Sequence, residues 1–374
     1  MSDLPTSSKP GLAILTNVIP PYRLPIYEYL SSSFEIKVYY SGDEANRQWS
    51  VQRVPGVEFS KSWGFSFSWP QRGKSGAVTD IRFLHVNPGY LWNLITDRPD
   101  AVISTEMGFR SIIALTFGKL YRKPVWIWWG GTIHSERNRS TFKRLIRTRF
   151  FRRSVKRWIS YGSSSTVYLQ SLGVPADRIL QVQNAVDDRT FHDRARPADL
   201  GLPHPRILVV GQLIGRKGLD LLLDSIEVLQ KQNFSLSLIL VGDGPERNRV
   251  LARAGAIRGL SVKHLGHVPT EEMPGIYRAC DLLVFPTLED VWGLVVNEAI
   301  LCGLPVLAST YAGCAEELLP RECVFDPYDT RDLAMRIQKM LHGDLPAQDM
   351  GRVLPARKVA QLIEDDINAH LACS

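Results

Sequence analysis

The sequence specifies an α/β protein of two domains of similar build, and three features say so. Short apolar runs alternate with segments of helical spacing, the rhythm of parallel β-α-β units. The rhythm pauses once, at a polar, Pro-containing stretch, and then resumes. The chain has 374 residues, more than one hydrophobic core usually holds.

The elements follow in order. "GLAILTNV" (Gly11–Val18) is a buried strand running into a loop, "RLPIYEYLSSS" the helix after it, and "FEIKVYYSG" the next strand. "DAVISTE", "KPVWIWWGG" and "KRWISYG" continue the series. The linker is "DDRTFHDRARPADLGLPHP", Asp187–Pro205. A second series then runs through "RILVVGQLIGRKG", "LSLILVGDGPE", "VKHLGHV", "DLLVFPT" and "LPVLAST". Residues 1–190 are assigned to the first domain and 191–351 to the second. Val359, Leu362, Ile363 and Ile367 share one helical face. That C-terminal helix, about 352–374, is expected to pack back on the first domain.

Composition bounds the function. With 44% hydrophobic and 22% charged residues the chain is a folded, non-disordered protein. No apolar run reaches the ~20 residues of a membrane-spanning helix. "MSDLPTSSKP" is not read as a secretory signal. Five cysteines without a C-x-x-C pair suit a reducing cytoplasm and point to neither a disulfide framework nor a zinc site. The net charge of +7 is concentrated: Arg137–Trp158 holds ten Lys or Arg and no acid. Phe142, Ile146, Phe150, Phe151, Val155 and Trp158 recur there at helical spacing. A basic amphipathic helix with aromatics reads as an element for an anionic membrane surface; the alternative is an apolar face in the core and solvated charges. Nucleic acid is disfavoured, since no nucleic-acid motif accompanies the patch. In "KSWGFSFSWPQ", Trp63, Phe65, Phe67 and Trp69 alternate. Inward packing is expected, and a hydrophobic rim for lipid or glycan is the alternative.

"LEDVWGLVVNEAILCGLPV", Leu288–Val306, sets Glu289, Asp290 and Glu298 in apolar surroundings, where unpaired carboxylates are costly. It follows the strand "DLLVFPT", and its helix opens near Gly293. A helix start at the carboxyl end of a parallel strand suits a phosphate, through the amides of Gly293, Leu294 and Val295. On local physics alone Asp290 and Glu298 serve equally as caps favouring the helix's positive end.

The strand, Asp290, seven residues, Glu298 and then "A-x-x-C-G-x-P-V" resemble the signature of retaining GT-B glycosyltransferases of the family four (glycosyl transferases group 1) type. "VVGQLIGRKGLDLLLDSI", "LVGDGPE", "HLGHVP" and "MPGIYRACDLLVFPT" extend the resemblance over about residues 160–330. It implies two Rossmann-like domains facing across a cleft, the first for an acceptor and the second for a nucleotide sugar, UDP- or GDP-linked, with no cofactor and no metal. By the same resemblance Lys217 holds the donor diphosphate, and the preceding family arginine is replaced by Gln212, with Arg216 adjacent. Backbone near Val268 meets the base, Glu298 binds the ribose, and Asp290 orients the donor sugar. His134, in "WWGGTIHSE", approaches that sugar. Tyr22 and Arg23, after the first strand, are candidates for the acceptor or the donor phosphate; a rigid turn feeding a helix is the other reading. The implied activity is metal-independent, retaining transfer of a sugar to a lipid-linked or membrane-proximal glycan, at the cytoplasmic face of a membrane. A nucleotide-sugar 2-epimerase and a catalytically silent nucleotide-sugar-binding subunit are the alternatives.

Overall fold

The computed structural model describes residues 9–42, 53–72, 78–137, 141–192 and 195–372, with backbone alone at 69–72, 78–84, 142–143 and 192. The first sheet is built from β1 (Gly11–Thr16), β2 (Glu35–Tyr40) and β3 (Val57–Lys61). A hairpin of β4 (Phe65–Arg72) and β5 (Val78–Val86) stands apart from it. β6 (Ala101–Thr105), β7 (Val125–Trp129), β8 (Arg157–Tyr161) and β9 (Ile179–Val182) complete the sheet. Its order is β3-β2-β1-β6-β7-β8-β9, parallel throughout, with Leu12 opposite Ala101 and Ile14 opposite Ile103. The helices of this half are α1 (Leu24–Leu30), α2 (Gly89–Asp97), α3 (Phe109–Tyr121), α4 (Ile133–Glu136), α5 (Thr141–Ile146), α6 (Arg152–Ser154), α7 (Gly162–Ser171) and α8 (Asp188–His192). α8 lies inside the stretch read as linker.

The second sheet holds β10 (Arg206–Val210), β11 (Leu236–Val241), β12 (Leu260–Gly266), β13 (Leu282–Phe285), β14 (Val306–Ser309) and β15 (Val324–Phe325), parallel in the order β12-β11-β10-β13-β14-β15. Its helices are α9 (Leu219–Lys231), α10 (Arg247–Ala256), α11 (Met273–Arg278), α12 (Leu294–Leu301), α13 (Ala315–Leu318) and α14 (Thr330–His342). Strands covered on both faces are nearly continuous in apolar residues: "VWIWW" and "LSLILV" are buried at every position, and the one polar residue, Ser237, donates its hydroxyl to the Pro203 carbonyl at 2.8 Å.

The chain then returns. α15 (Ala356–Leu371) packs against α1 of the first half. Val359, Ala360, Ile363 and Ile367 form its buried face, each large side chain contributing ~1.5–3 kcal/mol. Asp366 fixes it further, accepting from Trp126 Nε1 at 2.7 Å and from Arg157 Nε at 3.0 Å. Burial raises the Asp366 carboxyl, but the bonds from Arg157 and Trp126 outweigh this and hold it below the ordinary range.

Two expectations fail here. The basic segment is not one helix through Trp158. α5 passes into a π-helical turn, Arg147–Phe151, then α6, and the chain turns extended at Val155, so Trp158 is a buried strand residue. Arg147 is not solvated: it pairs with Glu136, bonds Tyr168 and stacks on the Trp129 ring. Arg144, Arg149, Arg153 and Lys156 are exposed, as are Leu145 and Phe150. The residues Arg139 and the side chains of Phe142 and Lys143 lie outside what is described, as does the N-terminal "MSDLPTSS". The aromatic stretch is also not packed inward. Trp63, Phe65 and Phe67 are 60%, 60% and 56% exposed, and among the described residues the strands β4 and β5 pair only with each other; the Trp69 side chain is outside the described set. Among the described residues no helix is long and apolar enough to cross a membrane.

Candidate functional site

The carboxyl ends of the two sheets face each other. His134 and Arg137, beyond β7, meet Tyr311 beyond β14: the His134 and Tyr311 rings are 5.0 Å apart edge to face, and Arg137 lies 5.7 Å from the Tyr311 centroid. Beyond β8, the Ser163 amide donates to Glu317 at 2.9 Å and Ser164 Oγ to the Gly313 carbonyl at 3.1 Å. Trp292 is buried at this seam beside Gly162, its Nε1 donating to Asn297 at 2.8 Å.

On the second sheet, β10 ends in a turn that carries Lys217 back over the sheet. Gly218 closes it with φ 68°; a Cβ there would lie 2.0 Å from the Pro286 carbonyl oxygen, so only glycine permits the approach. The approach brings Lys217 to the loop after β13. Its ammonium lies 2.6 Å from Asp290 Oδ2 and 5.0 Å from the Phe285 ring centroid. Both side chains are mostly buried. Burial raises the Asp290 carboxyl; the charge and hydrogen bond of Lys217 oppose it, helped by Arg216 and the Trp292 amide, and hold it below its ordinary range. Asp290 is also fixed by its backbone, which bonds Tyr311 and Gly313 in the loop after β14.

Gly293 follows, with φ 105°, where a Cβ would fall 2.6 Å from Phe285. It is the N-cap of α12, and no side chain caps that end. The helix start thus offers backbone amides beside Lys217. Glu298 sits one turn further on, half-buried, accepting a hydrogen bond from Tyr277. Burial pushes its carboxyl up to about 7, with the Tyr277 bond opposing. This contrast is the site's main electrostatic feature: Asp290 is an anion pinned by a cation, whereas Glu298 titrates near neutrality.

Gln212 and Arg216 are exposed at the rim, Arg216 donating to the Glu289 carbonyl at 3.1 Å. Val268 lies in the loop after β12, half-buried against the core. His134 is in α4, whose Thr132 forms a capping box with Ser135. Burial, then the charge of Arg137, lowers its imidazole against the opposing Glu316, which favours the neutral ring. Tyr22 is half-buried in the turn after β1. Arg23 is not presented to the cleft. It is buried, bonds the Tyr161 hydroxyl and lies 4.6 Å over the Trp128 ring. Two prolines and a tyrosine before it look like a cleft loop, but tryptophan and tyrosine faces at the ends of β7 and β8 draw the guanidinium inward. Sequence reasoning missed Tyr277, Tyr311 and Glu317; Tyr277 lies within the motif-bearing "MPGIYRACDLLVFPT", while the other two carry no local signal.

Residues 195–353 match the family model described as Glycosyl transferases group 1. The sulfoquinovosyl transferase SQD2 of Arabidopsis thaliana is 24% identical over 288 residues, covering 72% of this chain and 55% of that protein. The chain spans about half the length, or less, of the first curated relatives it matches. Anabaena Alr3699/HepE, solved in complex with UDP and glucose, superposes with TM-score 0.66 at 19% identity over 97% of this chain and 98% of that one. The apo lipopolysaccharide outer core galactosyltransferase WaaB gives 0.68 at 14%, over 96% and 99%. The fold is GT-B.

Proposed function

We propose, from the match of residues 195–353 to the glycosyl transferases group 1 model, that this chain is a metal-independent, retaining glycosyltransferase. It takes a sugar from a UDP- or GDP-linked donor and passes it to a lipid-linked or membrane-proximal glycan at the inner face of a membrane. One observation carries the reading: a mostly buried lysine–carboxylate pair and a second carboxyl of raised pKa flank one uncapped helix start. The activities named for SQD2 and WaaB, sulfoquinovosyl transfer and lipopolysaccharide outer core galactosyl transfer, are reactions of the same class.

In this reading the donor diphosphate lies against the amides of Gly293, Leu294 and Val295, with Lys217, Arg216 and Gln212 along its oxygens. Charge that grows on the departing phosphate is met by donors already in place. Glu298 accepts from the ribose hydroxyls, and backbone near Val268 meets the base. Asp290 orients sugar hydroxyls and stabilises positive charge at the ring, while neutral His134 bonds the same sugar. The bond from the anomeric carbon to phosphate breaks, a bond to the acceptor oxygen forms on the same face, and the acceptor proton passes to the departing phosphate. The exposed cations Arg144, Arg149, Arg153 and Lys156, with Leu145 and Phe150, attach the first half to anionic lipid.

Incubation with radiolabelled UDP- and GDP-sugars and membrane extract tests this. Label is expected in the lipid fraction. Lys217→Ala should lower transfer by about 10²–10³-fold, as loss of one preorganised donor to a developing charge does. Glu298→Ala should raise the donor KM while the protein stays folded. Unaltered turnover in both variants would remove the assigned site.

A further inference from the structure

With Arg23 buried, Tyr22 alone remains of the groups expected to meet the acceptor on the first sheet. The strand order supplies another. β1 connects outward to β2, and β6 takes up the other side of β1, so the connections diverge between β1 and β6. In open parallel sheets, ligands sit at such a divergence, beyond the carboxyl ends of the strands. Since the loops after β7 and β8 face the second half, the loops after their parallel neighbours β1 and β6 open to the same side.

Three polar side chains meet there. Glu106, the first residue after β6, has φ 64°, a conformation rare outside glycine. It is held there: its amide donates to the Trp128 carbonyl at 3.0 Å, and its carbonyl accepts from Ser111 Oγ. Its side chain is 67% exposed, yet Oε2 accepts from Arg110 Nη2 at 2.9 Å. Arg110 is itself only 8% exposed. It donates to the Thr105 carbonyl at 2.6 Å and to the side chain of Asn17, just beyond β1. Asn17 is anchored in turn, its carbonyl accepting from the amides of Ser41 at 3.0 Å and Gly42 at 3.2 Å. A buried arginine spans the divergence point and holds an exposed carboxylate at its mouth.

We infer that Glu106, set by Arg110 and Asn17, is the hydroxyl-binding group of an acceptor subsite that takes a hexose ring. The inference rests on the reading of the chain as a glycosyltransferase and adds to it the place and chemistry of acceptor recognition. A fixed carboxylate accepts from vicinal sugar hydroxyls, and the salt bridge to Arg110 keeps it correctly turned.

The test is direct binding, independent of turnover. Saturation-transfer NMR is run on the full chain with methyl α-glucoside, methyl α-mannoside and methyl α-galactoside, with UDP affinity and thermal midpoint measured alongside. The wild type should bind at least one glycoside. Glu106→Gln, which keeps an acceptor for Arg110, should weaken that binding by about tenfold, the loss of one charge-assisted hydrogen bond, with UDP affinity unchanged. Binding of none by the wild type, equal binding by the variant, or a parallel loss of UDP affinity would each overturn the assignment. A wild type that binds glycoside but transfers no label to lipid would instead sink the transfer reading and leave the subsite standing.

Discussion

Glu298 ties the proposed donor site to a measurable pH dependence. Its carboxyl is raised by burial to about 7, so the ligand-free protein holds it largely protonated in mild acid. Ribose hydroxyls need an acceptor, and the ionised form supplies it far better than the acid. If only the carboxylate binds, the apparent Kd rises by about tenfold between pH 8 and 6 and about a hundredfold between pH 8 and 5. Neighbouring groups do not imitate this. Asp290 is held below its ordinary range and stays ionised, and protonation of His134 at low pH would favour a diphosphate rather than oppose it. The assay is calorimetry with UDP-glucose, whose diphosphate is a diester and does not titrate in this range, and with GDP-mannose in parallel. Glu298→Gln should bind more weakly at pH 8 and lose the slope. Stability gives an independent reading. A carboxyl raised from 4.5 to about 7 contributes stability that is complete below the lower value and lost as pH rises through the upper, about 3 kcal/mol in all. Glu298→Gln should therefore flatten the unfolding free energy of the ligand-free protein between those limits. A wild-type Kd that stays level from pH 8 to 5 would refute the argument.

Replacing Arg144, Arg149, Arg153 and Lys156 by Gln should weaken binding to phosphatidylserine liposomes at least about tenfold, since each exposed cation near such a surface contributes ~1 kcal/mol. Equal sedimentation with liposomes would remove the membrane role; Arg147 is left alone because it is committed to Glu136. Asp366→Ala strands Arg157 and Trp126 Nε1 beneath the C-terminal helix and should cost about 3 kcal/mol in urea unfolding, with the loss shrinking in acid as pH falls through the lowered Asp366 value. A change below ~1 kcal/mol would show that Asp366 does not pin the helix.

The parts of the fold that were legible are those where one physical demand fixes the residue type. A parallel strand covered on both faces is nearly continuous in apolar residues, so Val125–Trp129 and Leu236–Val241, with Ser237 its one polar position, announce themselves. Gly218 and Gly293 are likewise forced, by a carbonyl and an aromatic ring where a Cβ would sit. Spacing misleads where it continues numerically through a change of structure. Val155 and Trp158 keep helical register with Phe151, although the chain has already turned extended; burial, not helicity, is what the three share. The hairpin shows the converse: period-two aromatics mark a strand, but nothing local records that Trp63, Phe65 and Phe67 stay exposed among the described residues. The site divides the same way. Lys217 and Asp290 stand 73 positions apart, and no local rule pairs them; only their order among motifs did. Glu106 and Asn17 are joined through Arg110 by strand order alone, since β1 and β6 become neighbours only when β2 and β3 fold to the far side. A residue whose role depends on which strands end side by side stays unreadable until the topology is known, and the binding group of the first half is of that kind.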